Sequence, residues 1–379
     1  MRKFQNSLSN TETKKLPISG MTIPEISAAL ETISEKTISS YRAKQIFSWI
    51  TKGAHSFREM TNLPLSLITL LEENFLLRGS SIYNKQSGID GTRKLVISHS
   101  DNTLIETVLL PSSEKESTQN PAKKNRFTAC LSTQVGCPMA CVFCKTGTMG
   151  FIRNLETAEI VEQFLLLNDE LYKKSGELQT DQKISRIVVM GMGEPLLNIQ
   201  ALRKALDIFC DPLGFNLSKR KITISTSGII EGIIDIAENG PETELAVSLP
   251  SAREDLRSRL MPGLINHPLS ELKKSLGFYQ KKTGRRITIE TVLLGGINTG
   301  RADAASLINF AKNLDAAINL IPWNPVKDLY FEGKKLIECR QKEIDFFSSL
   351  LEKGGCTVTR RFRRGRSIAG ACGQLGPSL

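Results

Sequence analysis

Histidine is scarce in this chain. His55, His99 and His267 are the only three, and each lies far in sequence from the densest group of thiols. That works against a Cys/His zinc site, which closes on four ligands, usually from two nearby knuckles. No apolar stretch approaches the roughly 20 residues that a membrane span needs. Nor does an apolar run follow the basic residues of Met1–Asn10, so a cytoplasmic protein is expected. A dinucleotide glycine fingerprint is missing, and no repeat is visible beyond an alternation of strand-like and helix-like segments. Eight cysteines in 379 residues do not make a disulfide framework. Half of them fall within Cys130–Cys144, a density that points to metal or redox chemistry in a reducing compartment.

What the chain does have is charge. Its net charge is +11 and its sequence pI about 9.2, which favours an anionic partner of the nucleic-acid kind. Along the chain, residues 1–20 read as a polar, disordered N-terminus. Residues 21–78 carry three apolar-periodic runs, Pro24–Leu30, Tyr41–Thr51 and Pro64–Phe75, with Thr22 and Ser39 or Ser40 placed to cap the first two. They form a small helical domain, expected to dock RNA. Residues 79–111 hold a β-hairpin connector built on Leu95–Ser98 and Leu104–Leu110, and 112–126 a flexible linker. From 127 to 355, strand patterns at Phe127–Ser132, Ile184–Met190, Lys221–Ser225, Glu244–Leu249, Arg286–Leu294 and Ala317–Ile321 alternate with helical ones. The fold class is therefore α/β, an open or partial (β/α)6 barrel, whose chemistry is expected at the C-terminal ends of the strands. Residues 356–379 add a short strand at Thr357–Arg360 and a basic, Gly-rich segment.

The thiol-rich stretch is Cys137-Pro138-Met139-Ala140-Cys141-Val142-Phe143-Cys144. Three soft ligands in one loop suit an iron–sulfur cluster better than zinc, and three ligands on a four-iron cluster leave one iron open to a small molecule. After the second barrel strand comes Met190-Gly191-Met192-Gly193-Glu194-Pro195-Leu196-Leu197-Asn198. There glycines admit close backbone approach, and Glu194 can accept from a ligand ammonium. Further strand ends carry Ser225-Thr226-Ser227-Gly228, Ser248-Leu249-Pro250 and Trp323-Asn324-Pro325. Basic runs at Lys219–Lys221, Lys281–Arg286 and Arg360–Arg366 are suited to phosphate.

These motifs, in this order, resemble the RlmN/Cfr family of radical S-adenosylmethionine (SAM) RNA methyltransferases, and more closely its RlmN branch. The likeness runs from Tyr41-Arg42-Ala43-Lys44-Gln45-Ile46-Phe47 to Ala371-Cys372-Gly373-Gln374-Leu375, through Ser218-Lys219-Arg220 and Asn319–Pro325. It implies a [4Fe-4S] cluster on Cys137, Cys141 and Cys144, and SAM contacts at Gly193, Glu194, Ser225, Ser248, Leu249, Pro250 and Asn324. It also implies Cys372 as the methylated cysteine, Cys130 as the thiol that resolves the adduct and Glu106 as the proton acceptor. The implied reaction methylates adenine C2 in ribosomal RNA and in tRNA beside the anticodon. It uses two SAM per turnover, an electron donor such as flavodoxin or ferredoxin, and a monomeric enzyme. Adenine C8 methylation of the Cfr type is the nearest alternative, and a non-catalytic iron–sulfur or zinc RNA-binding module is the alternative of another class.

Two departures stand out from the resemblance. Pro250 replaces the histidine of most relatives, which removes a side-chain contact to SAM. Ser367 and Gly370 replace an acidic residue and an alanine in the C-terminal segment, and a looser tail is expected from them. Cys210, Cys339 and Cys356 have no partner spacing and read as inert thiols.

Overall fold

The computed structural model describes residues 15–34, 39–112, 125–172, 182–360 and 364–377. The expected disordered N-terminus and flexible linker, and Arg361 and Arg363 of the basic run, therefore fall mostly or wholly outside the described residues.

Three helices open the chain: α1 (Ile23–Ile33), α2 (Ser40–Thr51) and α3 (Leu65–Asn74). Thr22 begins α1, its amide and hydroxyl both donating to the Glu25 carboxylate, at 2.8 and 2.9 Å. The Ser39 hydroxyl accepts from the Tyr41 amide at the start of α2. Ile26, Leu30, Ala43, Ile46, Phe47, Ile50 and Leu71 are buried where the helices meet, the stripe that a period of 3.6 residues places on one face.

A single ten-stranded sheet carries the rest. Its strands are β1 (Ser81–Ser87), β2 (Arg93–Ser98), β3 (Leu104–Pro111), β4 (Arg126–Cys130), β5 (Lys183–Val189), β6 (Ile222–Thr226), β7 (Glu244–Ser248), β8 (Ile287–Leu293), β9 (Ala316–Pro322) and β10 (Thr357–Arg360). They lie side by side in chain order. From β1 to β4 the neighbours are antiparallel, and from β4 to β10 they are parallel. Parallel neighbours need a crossover. These are supplied by α4 (Thr157–Tyr172), α5 (Ile199–Cys210), α6 (Ile230–Asn239), α8 (Leu269–Thr283), α9 (Arg301–Ala311) and α10 (Gln341–Lys353), with a short α7 (Glu254–Leu260) before α8.

The sequence reading placed six strands in the parallel barrel and set the hairpin apart from it. In the structure the hairpin pairs with β4 and continues the same sheet, while β10 joins β9 as a further parallel strand. Strand β1 was not anticipated. Its residues are almost all exposed, so no face was buried to impose an alternating pattern. The sheet curls on itself: residues of β3 and β10, far apart in strand order, line one cavity, and Arg364, beyond β10, donates to the Pro111 carbonyl at the end of β3. Among the described residues the strand order ends at β10 without pairing back to β1, so the barrel is partial.

The N-terminal helices are held against α4 by polar contacts. Glu162 on α4 is fully buried and accepts from the Ser19 hydroxyl at 2.6 Å and the Gly79 amide at 2.8 Å. Burial raises its pKa, while these donors pull the other way. Arg78 meets Asp169 at 2.6 Å. Gly20 lies against α4 so closely that a Cβ there would sit 2.5 Å from the Ala158 amide nitrogen.

Candidate active site

The three-thiol loop hangs from the C-terminal end of β4. Two short antiparallel pieces, Gln134–Gly136 and Phe151–Asn154, close its base, and the Cys137 amide donates to the Gly150 carbonyl at 2.8 Å. Gly136 has φ +75° and a Cβ there would meet the Gly150 oxygen at 1.9 Å, so only glycine fits the neck of the loop. The far side is gripped from several directions. Val142 donates to the Leu260 carbonyl, Gly263 to Met139 and Lys145 to Gly373, at 2.8–3.1 Å, and the Trp323 indole donates to the Phe143 carbonyl at 2.8 Å. Gly147 packs so tightly that a Cβ would come within 2.7 Å of the Cys141 carbonyl oxygen.

Cys137, Cys141 and Cys144 all line one cavity that opens to solvent on one side. Burial pushes the Cys137 thiol up to about 12, with Glu194 and Cys144 adding repulsion. It raises Cys141 and Cys144 as well. Thiolates here need a cationic partner, a part that the iron of a cluster would fill. No three His, Cys, Asp or Glu side chains among the described residues converge on one point where a single ion could sit. Three thiols spread around a cavity wall instead suit a group several ångströms across.

The opposite wall comes from the ends of β5 to β9. Gly193 (φ +101°) would drive a Cβ to 2.6 Å from the Gln134 side chain, and that same Gln134 accepts from the Glu194 amide at 2.8 Å. Glu194 is buried. The Ser227 amide and hydroxyl both donate to its Oε2 at 2.7 Å, and the Leu196 amide donates to Oε1 at 3.1 Å. Burial raises its pKa, opposed by these donors. Ser225, Ser248 and Asn324 face the cavity with it. The Asn324 Nδ2 donates to the Cys372 carbonyl at 3.0 Å, whereas its Oδ1 is buried with no donor. An unsatisfied acceptor costs ~1–3 kcal/mol, which a ligand N–H or O–H in the cavity would relieve. Leu249 and Pro250 stand apart from the cavity lining. Leu249 is fully buried with its amide on the Glu290 carbonyl, and the Pro250 carbonyl accepts from Asn298 at 2.7 Å. Ser227, which holds Glu194, lay inside a motif the sequence had flagged. Glu290 and Trp323 also line the cavity, and for Glu290 only its position in the β8 alternation could have signalled it.

Replacing Gly193 by alanine should cost about 1–3 kcal/mol of stability from the left-handed backbone, plus displacement of Gln134. SAM binding should weaken more than the shift in unfolding temperature implies, because Gln134 also positions Glu194. Calorimetric titration of SAM beside thermal unfolding separates the two.

Cys372 lines this cavity and also a smaller one that it shares with Cys130, Met190 and Arg364. No disulfide joins the cysteines. Residues 364–377 form a strap pinned along its length. Gly365 donates to Asp90 at 2.8 Å, Thr146 to the Leu375 carbonyl at 2.6 Å and Gln374 to the Pro325 carbonyl at 2.8 Å. Glu106 lies at the centre of the antiparallel strands, outside the three-thiol cavity, in an adjoining groove. Its Oε1 pairs with Lys94 Nζ at 2.8 Å and its Oε2 accepts from the Gly376 amide at 2.8 Å. Lys94 also donates to the Ala369 carbonyl at 3.3 Å. The segment that carries Cys372 is thus tied at both ends to one buried ion pair, and nothing in the sequence pattern had singled out Lys94.

The comparisons with known proteins agree with this geometry. The radical SAM superfamily profile matches residues 131–308, and that of the ribosomal RNA large subunit methyltransferase N-terminal domain matches 17–77. A probable dual-specificity RNA methyltransferase RlmN from Treponema denticola is 45% identical over 363 residues, covering 94% of this chain and 97% of its own. A protein of the same name from Treponema pallidum is 41% identical over 336 residues, with 89% and 92% covered. The crystal structure of a radical SAM methyltransferase from Sphaerobacter thermophilus superposes with a TM-score of 0.85 at 33% identity, covering 95% of this chain and 99% of that one. With likeness of this extent over nearly the full length of each relative, the protein belongs to the RlmN family of radical SAM RNA methyltransferases.

Proposed function

We propose that the protein methylates C2 of adenine in ribosomal RNA and in tRNA, with Cys372 as the methyl carrier. The observation that carries this reading is the position of Cys372, which opens on one side to the three-thiol cavity and on the other to Cys130. A thiol with that double access can take a methyl group on one side and be attacked on the other.

Adenine C2 lies between two ring nitrogens and its C–H is too weakly acidic to yield a nucleophile, so polar transfer of an electrophilic methyl is closed. Cys137, Cys141 and Cys144 would hold a [4Fe-4S] cluster, and that cluster with SAM would supply the chemistry of a 5′-deoxyadenosyl radical. Gly193 brings backbone close to SAM, Glu194 accepts from its ammonium, and Ser225, Ser248 and the Asn324 Oδ1 offer further polar contacts. The Cys372 thiolate first accepts a methyl by displacement from one SAM. Its S-methyl group would then give up one hydrogen atom to the radical chemistry that a second SAM supplies, and the methylene carbon left on sulfur adds to C2, joining protein and RNA. Glu106 takes the C2 proton, and the adduct gives back the one electron that cleavage of the second SAM consumed, which leaves a closed-shell thioether between Cys372 and C2. The Cys130 thiolate attacks the Cys372 sulfur, the C–S bond breaks with its electron pair going to the methylene carbon, and that carbon takes a proton to become the methyl group on adenine. A Cys130–Cys372 disulfide is left, which two electrons and two protons return to thiols. A flavodoxin- or ferredoxin-type donor supplies electrons, and the protein acts as a monomer in the cytoplasm.

Nucleoside mass spectrometry tests the reading. Unmodified ribosomal RNA and tRNA treated with the anaerobically reconstituted protein should yield 2-methyladenosine. 8-Methyladenosine would transfer the assignment to the Cfr type, and SAM binding without RNA methylation would leave only a binding module.

A further inference from the structure

At the N-terminal ends of the parallel strands, opposite the three-thiol cavity, the sheet surrounds a second opening of about 1110 Å3. In barrels of this kind that end serves stability, and its lumen is packed with apolar layers. Here the inward positions are polar, with Thr128, Thr223, Asn319 and Thr359 facing the opening. Lys183, Arg186, Arg220 and Lys221 stand around it, and their side chains have no acidic partner among the described residues. The one carboxylate of the lining, Glu244, is already paired with Arg285 at 3.3 Å. Cations gathered without neutralisation repel one another and lower the stability of the unliganded fold, which makes little sense at a purely structural end.

We propose that this opening grips the phosphodiester backbone of the substrate RNA, away from the target base. The proposal rests on the RNA substrate of the reading above. Three features favour a chain of phosphates over a single anion. The cations come from the start of β5 and the turn before β6, so their charge is spread along an edge. The opening is too large for one phosphate. It also shares Leu110 and Arg364 with the cavity that holds Cys130 and Cys372, so RNA held there abuts the site where its adenine reacts.

The test compares the full-length, cluster-reconstituted protein with its K183A/R186A/R220A/K221A variant, using an unmodified tRNA transcript over a range of salt. Each lost phosphate contact lowers the slope of log affinity against log salt by about 0.7–0.9. The variant's slope should therefore fall by about 3, its affinity near 0.1 M salt should drop at least about tenfold, and kcat at saturating RNA should hold. SAM cleavage without RNA should match the unaltered protein, which shows that fold and cluster are intact. An unchanged slope and affinity overturn the proposal. So does a variant impaired only in accepting electrons from a flavodoxin, which would make the opening a protein-docking site. If the unaltered protein binds the transcript but methylates no adenine, the functional reading fails while the slope still decides this one.

Discussion

Cys372→Ala should form no bond to RNA and should lose methylation by a factor of about 10^4 or more, as loss of an attacking group does in covalent catalysis. Cys130→Ala should do the opposite at the bench. It retains Cys372, so it still cleaves SAM and adds to adenine. It lacks the thiol that shares the smaller cavity with Cys372, so the C–S bond stays. The expected product is a protein–RNA species that survives denaturation and shrinks to a short remnant on nuclease digestion. Gel shift under denaturing conditions reads both variants at once. Normal turnover by Cys130→Ala, or equal trapping by both, contradicts the division of roles.

The second large effect is expected at Lys94. Its ammonium and the Glu106 carboxylate are only 7% and 4% exposed. Removing one partner of a buried pair leaves an uncompensated charge, at a cost of about 3–5 kcal/mol. Lys94→Met should lower stability by that order. It should also loosen the strap, since Lys94 holds the Ala369 carbonyl and Glu106 holds the Gly376 amide. A Lys94→Met/Glu106→Gln double variant removes the stranded charge and should recover much of the stability. It should not recover release of RNA if Glu106 is the group that accepts the C2 proton. Chemical denaturation and adduct-release kinetics on the three variants give the two answers separately. If stability and release recover together, Glu106 is a structural carboxylate only.

Much of the parallel sheet was legible because strands buried on one side by helices keep a strict pattern. In β6, Ile222, Ile224 and Thr226 are buried while Thr223 and Ser225 are less so. Polar β1 escaped notice for want of a buried face, and the short α7, with two arginines in its last turn, for want of length. The three thiols and Glu194 were legible because their chemistry is concentrated in short stretches. Their surroundings were not. Lys94 and Glu106 look like an unremarkable cation and carboxylate on neighbouring strands, and only the register pairing β2 with β3, and the strap folded over them, brings out their connection. The strap was read as a looser, Gly-rich tail. Its anchoring depends on Asp90, Thr146 and Asn324, each remote in sequence from residue 372.

The central claim is that the methyl group reaches RNA by way of Cys372 and not directly from SAM. SAM bearing a fully deuterated methyl tests it in one assay. If the group first rests on Cys372 and surrenders one hydrogen before bonding to C2, the methyl on adenine carries two deuterons and 5′-deoxyadenosine gains one. Mass spectrometry of both products should show these numbers. Three deuterons on the adenine methyl, with none in 5′-deoxyadenosine, would mean direct transfer and would contradict the account.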